Sequence, residues 1–204
     1  MKRLALLALC GLLPLSAQDF EAGIFVGRQQ FRNDSASDAY GDLVRLQPSG
    51  WTSASGLRLG WNCLELGPGS LQVNGAWQPK VTTSVTQSGS ILNQGSLVAQ
   101  GNLSVSSASL GAMFNVKFLV DAGIGLDYRF EQYEYLGATT NQGRPWARAF
   151  LGYALPLPEV KPFLGVEVDY ALETYSLGFP PAAGDLARAM APRMQVGLYG
   201  GVRF

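Results

Sequence analysis

A chain of 204 residues is long enough for one domain with a sizeable core, and all-β barrels of this size are commonly single domains. Fifteen Lys and Arg balance fifteen Asp and Glu, which leaves no basic surplus for a nucleic-acid partner or a polybasic membrane patch. Charged residues make up only 15%, below the ~25% usual in soluble domains, and the absence of histidine removes Ser-His-acid triads and histidine metal sites.

The chain opens with a basic Met1-Lys2-Arg3, an apolar run from Leu4 to Leu15 and the small residues Ser16-Ala17-Gln18. This is the pattern of a secretory signal peptide over 1–18, cut near Ala17 or Gln18, with 19–204 as the exported part. The apolar run is too short to cross a bilayer as a helix. Cys10 faintly suggests a lipoprotein signal, but bulky Leu9 precedes it and it lies inside the apolar run. After cleavage Cys63 is alone, so no internal disulfide is expected.

A first strand is predicted over Phe20–Phe31, with Ala22, Ile24 and Val26 on one side and Gly23, Phe25 and Gly27 on the other; which side faces in is left open. The Asn-, Asp-, Ser- and Gly-rich segment from Asn33 to Gly50 reads as a long loop. Trp51 opens a second strand, with Leu57, Leu59, Trp61 and Cys63 against Gly56, Arg58, Gly60 and Asn62. Leu66-Gly67-Pro68-Gly69 is a tight turn into a third strand around Leu71, Val73, Gly75 and Trp77. Thr82 to Asn102 reads as a second long loop, although Ile91, Leu92, Leu97 and Val98 allow it to extend the hairpin. A fourth strand spans about Leu103 to Phe114, and Asn115-Val116-Lys117 forms a short turn.

The clearest strand is the fifth, Phe118 to Glu131. One face is Phe118, Val120, Ala122, Ile124, Leu126, Tyr128 and Phe130, continuously apolar. The other is Leu119, Asp121, Gly123, Gly125, Asp127, Arg129 and Glu131. An apolar face backed by a glycine- and charge-bearing face suits a strand with lipid outside and a narrow polar interior. A third loop follows from Leu136 to Arg144. The sixth strand, Trp146 to Leu155, sets Ala147, Ala149, Leu151, Tyr153 and Leu155 opposite Trp146, Arg148, Phe150 and Gly152. After a turn with Pro156, Pro158 and Pro162, the seventh sets Leu164, Val166, Val168, Tyr170 and Leu172 against Gly165, Glu167, Asp169 and Glu173. Leu177 to Arg193 is the fourth long loop, with one helical turn near Asp185 to Met190, and Met194 to Phe204 is the eighth strand.

Eight strands joined by connections that alternate long and short predict an antiparallel, up-and-down transmembrane β-barrel with both ends on the periplasmic side. The last strand ends on Phe204 and, counted back by twos, presents Val202, Gly200, Leu198 and Val196. This resembles the C-terminal signal by which outer-membrane barrels are recognised by their assembly machinery. With the leader, the chain resembles the small eight-stranded outer-membrane barrel family (the OmpA/OmpX type). Only the last strand is motif-like, and Gly200 stands where a larger residue is usual. The resemblance implies the bacterial outer membrane as location, with its lipid and lipopolysaccharide and the assembly machinery as partners. No residues follow Phe204 for a periplasmic domain, so a peptidoglycan tether is not implied.

Arg58, Asp127, Arg129, Glu131, Arg148, Glu167 and Asp169 are the candidate interior residues, with Glu173 and Arg203 also pointing inward. Carboxylate pairs allow a glycosidase-type hydrolase, which needs two such groups some 5–10 Å apart. Arg and acid numbers near balance, in a lumen only as wide as its side chains, favour a structural ion-pair network. Trp51, Tyr133, Tyr135, Trp146, Tyr170 and Tyr175 at the loop ends, and Phe114, Phe118, Tyr153 and Phe204 at the turn ends, are expected as interfacial girdles. An aromatic ligand platform is the alternative. Gly123-x-Gly125 and Gly197-x-x-Gly200-Gly201 lie inside strands with no following helix, so they are not nucleotide loops. No cofactor, metal or enzymatic activity is expected. The leading reading is a structural or surface barrel whose outer loops meet an unknown extracellular ligand. A narrow channel for ions or small solutes and a soluble periplasmic ligand-binding barrel are the alternatives.

Overall fold

The computed structural model describes residues 20–37, 43–90, 96–117, 120–155, 157, 159–177 and 183–204. The expected leader over 1–18, Cys10, Phe118 and Leu119 lie outside the described residues. The elements in chain order are β1 (Phe20–Phe31), β2 (Asp34–Ser37), β3 (Leu43–Pro48), β4 (Trp51–Leu66), β5 (Gly69–Ser90), β6 (Ser96–Lys117), β7 (Asp121–Tyr135), β8 (Ala138–Ala154), β9 (Lys161–Ala171), α1 (Ala183–Ala189) and β10 (Pro192–Arg203). The described strands form one antiparallel sheet. Eight of them pair in a ring, β1-β4-β5-β6-β7-β8-β9-β10 and back to β1. The architecture is all-β and barrel-like. Its turn end carries Gly67-Pro68 and the outer ends of β1 and β10; its loop end carries β2, β3 and α1.

The alternation of side chains explains why these segments are strands. On β7, Ile124, Leu126, Tyr128 and Phe130 are exposed while Asp121, Asp127, Arg129 and Glu131 are buried. β1 resolves the same way, with Ile24 and Val26 outside and Phe25 inside. The polar segments read as loops are largely strand. β2 and β3 lie within 33–50, and β3 adds to the upper part of β5. β5 and β6 continue their pairing up to Ser90 and Ser96, through most of the predicted second loop. There Val81, Thr83, Val85, Leu103 and Val105 are buried, and β-branched Thr and Val sustain a strand that lacks apolar alternation. β6 also runs on to Lys117, through the expected short turn.

Only Leu136 and Gly137 turn between β7 and β8, where a nine-residue loop was expected. Both have positive φ, 50° and 76°, as a type I′ hairpin requires. Leucine is uncommon at such a position, so the sequence gives no Asn-Gly signal for this hairpin.

The pairing register fixes the slope of the strands. Outward residues follow one another across the ring from Val202 to Ala22, Leu59, Gly75, Leu110, Tyr128 and Pro145. The Leu172 amide donates to the Pro145 carbonyl at 2.9 Å, and continuing the β9–β10 register from there reaches Pro192. The path therefore returns to β10 ten residues from its start. Eight strands ~4.7 Å apart, rising ~3.3 Å per residue with that stagger, lean about 41° in a ring of about 8 Å radius. Such an interior is filled by side chains alone.

Its walls are shaped to accept flat rings. Gly152 on β8 pairs with Gly165 on β9, and Phe150 lies over both. A Cβ would stand 2.4 Å from the Phe150 ring at position 152 and 2.5 Å at position 165. Gly165→Val is expected to cost about 1–3 kcal/mol through overpacking, read as a lower urea midpoint in detergent micelles. A midpoint equal to the parent's would show that the ring has room to move away.

Candidate functional site

The interior is a stack of layers, each made by inward positions of strands distant in sequence. Nearest the turn end, Arg203 of β10 donates from Nε to Glu21 of β1 at 2.7 Å and from Nη1 to Asp121 of β7. The Tyr199 hydroxyl donates to the other Glu21 oxygen at 2.6 Å. Next come Phe150, Phe163 and Tyr199 in edge-to-face contact, with centroids 5.0–6.1 Å apart, and Phe25 beside them. The Arg203, Arg58 and Arg148 guanidinium groups lie over the Phe163, Phe25 and Tyr199 rings.

Three arginines and three carboxylates form the centre. Arg58 on β4 donates to both Glu167 and Asp169 on β9, the latter at 3.0 Å. Arg148 on β8 donates from Nε to Glu167 at 2.8 Å and stands 3.9 Å from Asp127. Arg129 on β7 donates to Asp169 at 2.8 Å and to the Gln195 side chain at 3.0 Å. Gln195 donates to Gln78, and Gln78 to Gln29, at 3.1 and 2.7 Å, so an amide chain crosses from β10 through β5 to β1. The six charges cancel, as groups so fully removed from water require.

Towards the loop end, Arg144 grips Glu131 with two hydrogen bonds of 2.7 and 2.8 Å and donates to the carbonyls of Pro192 and Glu173. The Tyr133 hydroxyl also donates to Glu131. The Trp146 ring lies 4.0 Å from the Arg129 guanidinium and 5.2 Å from that of Arg144. Above this layer an apolar plug takes over. Phe31, Leu46, Val85, Leu103, Val105, Tyr133 and Tyr135 from the strands pack with Leu186, Ala187, Ala189 and Met190 of α1 and its C-terminal edge. The 172–177 segment is held against this end, with the Leu177 amide donating to Asp34 and Arg32 donating to the Tyr175 carbonyl.

All seven candidate charges, Arg58, Asp127, Arg129, Glu131, Arg148, Glu167 and Asp169, therefore meet inside the ring, and Arg203 joins them near the turn end. Glu173 does not: it lies exposed just past the end of β9 and contributes only its carbonyl. Four expected girdle residues are also placed differently, and one of them, Tyr175, packs half-buried against the apolar plug past the end of β9. Tyr133, Tyr135 and Trp146 face the interior and are almost fully buried, because they share the parity of Glu131 and Arg148 on their strands. Trp51 and Tyr170 do face outward, and Arg193 donates to the Tyr170 hydroxyl at 2.7 Å. Val196, Leu198, Val202 and Phe204 share the outer face of the β10 segment, where the Phe204 amide donates to the Phe20 carbonyl at 3.0 Å.

Arg144 and Glu21 complete the network without having been singled out from the sequence, and Asp121, read on the polar face of the fifth strand, joins Arg203. Arg144 sits between Gly143 and Pro145, which suggested a loop, although counting back by twos from Arg148 and Trp146 reaches it. Glu21 and Asp121 begin their strands on the inward parity of Phe25 and Asp127. Compared with protein-family models and with curated proteins, the chain matches none.

Removing one member of this network leaves its partners charged and dry. Arg148→Ala is expected to cost about 3–5 kcal/mol, and Arg148→Glu more, read as lost heat resistance or a lower urea midpoint. Lys80→Ala, which breaks the exposed pair with Glu134, should change stability by less than ~1 kcal/mol. Equal effects at the two sites would mean that the interior pairs carry no special structural weight.

Proposed function

We propose that the chain is a non-enzymatic barrel of a bacterial outer membrane. Its wall is an anchor and its loop end is the part that meets the outside. One observation carries this reading: the molecule is turned inside out relative to a water-soluble domain. Leu59, Ile124, Leu126 and Phe130 are each 60–69% exposed, while Arg58, Arg148, Glu167 and Asp169 are at most 4% exposed. In water an apolar surface of that extent is an aggregation site; in lipid it is the required surface. From Val120 to Phe130 the outer face of the fifth predicted strand is apolar over ~33 Å of chain, which at a lean of about 41° gives a belt about 25 Å tall. Beyond it the outward residues turn polar, at Arg28, Ser55, Ser106, Gln132 and Asn141. This is the family that the signal-like N-terminus and the Phe204 strand resemble, and the assembly machinery and lipopolysaccharide are its proposed partners.

The interior supports an anchor over a channel. Arg203, the aromatic layer, the central ion pairs and the α1 plug follow one another along the axis. Glu131, Glu167 and Asp169 are each held by arginine, which disfavours a hydrolase needing a free proton donor beside a cleft. The β5–β6 hairpin and the β2–β3 pair extend the loop end into a polar sheet suited to adhesion or ligand contact. A narrow channel has one observation in its favour: the side chains of Asn74, Ser109 and Asp127 lack hydrogen-bond partners inside the ring, as groups facing water would.

Two measurements test these readings. The exported chain is expected to stay with the outer-membrane fraction through carbonate extraction, and to migrate faster on gels unheated than boiled. Recovery in the soluble periplasm with no mobility shift would falsify the membrane assignment. In planar bilayers the folded protein is expected to be silent; steady single-channel steps would move the assignment to the channel.

A further inference from the structure

The outer wall carries a cleft of about 580 Å³ where its apolar belt gives way to polar residues. Trp77 on β5, Ala108 on β6, Phe130 on β7 and Gly143 on β8 are direct pairing neighbours, so their side chains form one row across four strands. Trp77 and Phe130 are 53% and 60% exposed and stand two strands apart, about 10 Å, with only the Ala108 methyl between them. That leaves a slot the width of one hydrocarbon chain. Tyr128 packs edge-on against Phe130, with centroids 5.1 Å apart, and its hydroxyl lies over Gly143, where a Cβ would meet it at 2.5 Å.

Directly above the slot the row Ser106, Gln132 and Asn141 supplies a hydroxyl and two carboxamides. Among the described residues the two cations near this level are already paired, Lys80 with Glu134 and Arg188 with Asp185, and Arg188 also donates to the Asn141 carbonyl, so the side chains that the polar row turns to the cleft are neutral donors and acceptors. An apolar slot closed at one end by a few convergent neutral polar groups is a ligand site for an amphiphile with an uncharged, hydroxyl-rich head. Its place at the loop-side edge of the belt puts the head at the outer interface and the chain in the outer leaflet.

We propose that this cleft binds one glycolipid molecule of the outer leaflet. The acyl chain lies on Ala108 between Trp77 and Phe130, and sugar hydroxyls reach Ser106, Gln132, Asn141 and the Tyr128 hydroxyl. This rests on the membrane assignment above, but it adds a single preferred position on an otherwise uniform belt.

Trp77 is its own reporter. A Trp51→Phe, Trp61→Phe protein retains Trp77 in the cleft and Trp146 in the interior, away from any quencher. It would be folded into phosphatidylcholine vesicles and titrated with a bromine-tailed alkyl maltoside, then separately with a bromine-tailed phosphatidylglycerol. Half-maximal quenching is expected at about tenfold lower maltoside than phosphatidylglycerol. Ala108→Leu, which fills the slot on an exposed surface, should abolish that preference while the gel mobility shift persists. Gln132→Ala with Asn141→Ala should reduce it without changing quenching by the phosphatidylglycerol. Equal quenching by both probes, insensitive to Ala108→Leu, would overturn the site yet leave the membrane assignment standing. Trp77 shielded from both probes in a protein that crosslinks as a dimer would give the cleft to a second copy. No quenching together with extraction into buffer would remove the membrane assignment itself.

Discussion

The narrow ring is the constraint from which most of the structure follows. Eight strands with a stagger of ten residues leave about 8 Å from wall to axis, too little for bulk water and enough for one layer of side chains at each level. Whatever points inward must interlock with the other side chains of its layer, and every charge must find its counter-charge inside the ring, on a neighbouring strand or across it. Arg58 reaches across to Glu167 and Asp169, and Arg129 to Asp169 and Gln195. The glycines facing Phe150 answer the same shortage of space from the wall side. Stability here comes from shape and charge compensation in a core where ion pairs and amides alternate with an aromatic layer and an apolar plug, while the wall turns its remaining apolar residues outward.

The outer and inner faces ask different things of the sequence. Outside, any apolar residue serves, so Leu, Ile, Val, Tyr and Phe alternate along β7 and β9 with little further order. At the belt's loop-side edge the demands sharpen, as the Trp77–Ala108–Phe130–Gly143 row shows. Inside, the layers are specific. Aromatic rings, ion pairs, amides and finally the α1 plug succeed one another, each at a fixed height.

Period-two alternation makes the wall legible in the sequence itself. Both faces of β7 and β9 were readable, as was the inward placement of Arg58 and Arg148, because each strand carries its own parity signal. What remained hidden lay where composition and parity disagree, or where partner strands decide. Tyr133, Tyr135 and Trp146 are aromatic and near the loop end, which suits a girdle as well as a core; only their parity with Glu131 and Arg148 decides, and it points inward. The upper β5–β6 hairpin is Ser-, Thr- and Gln-rich, so nothing in its composition distinguishes strand from loop. Its pairing and the cover provided by β3 and α1 make it a strand. Leu136-Gly137 hides a two-residue turn behind an unlikely residue.

The ion pairs join places far apart in the chain. Arg58 precedes its carboxylates by more than a hundred residues, and Glu21 meets Arg203 at the opposite end of the sequence. No initial portion of the polypeptide is electrically complete. The β1–β4 pair carries an arginine whose counter-charges lie on β9, and β7 carries acids awaiting β8 and β10. Single hairpins thus lack their final partners: β7–β8 joins Glu131 to Arg144 and Asp127 to Arg148, but leaves Arg129 waiting for β9 and Asp121 for β10. On the proposed membrane reading, an unfinished chain is kept out of the bilayer by its own unmatched charges, and insertion becomes an all-or-none event timed by the arrival of the last strand.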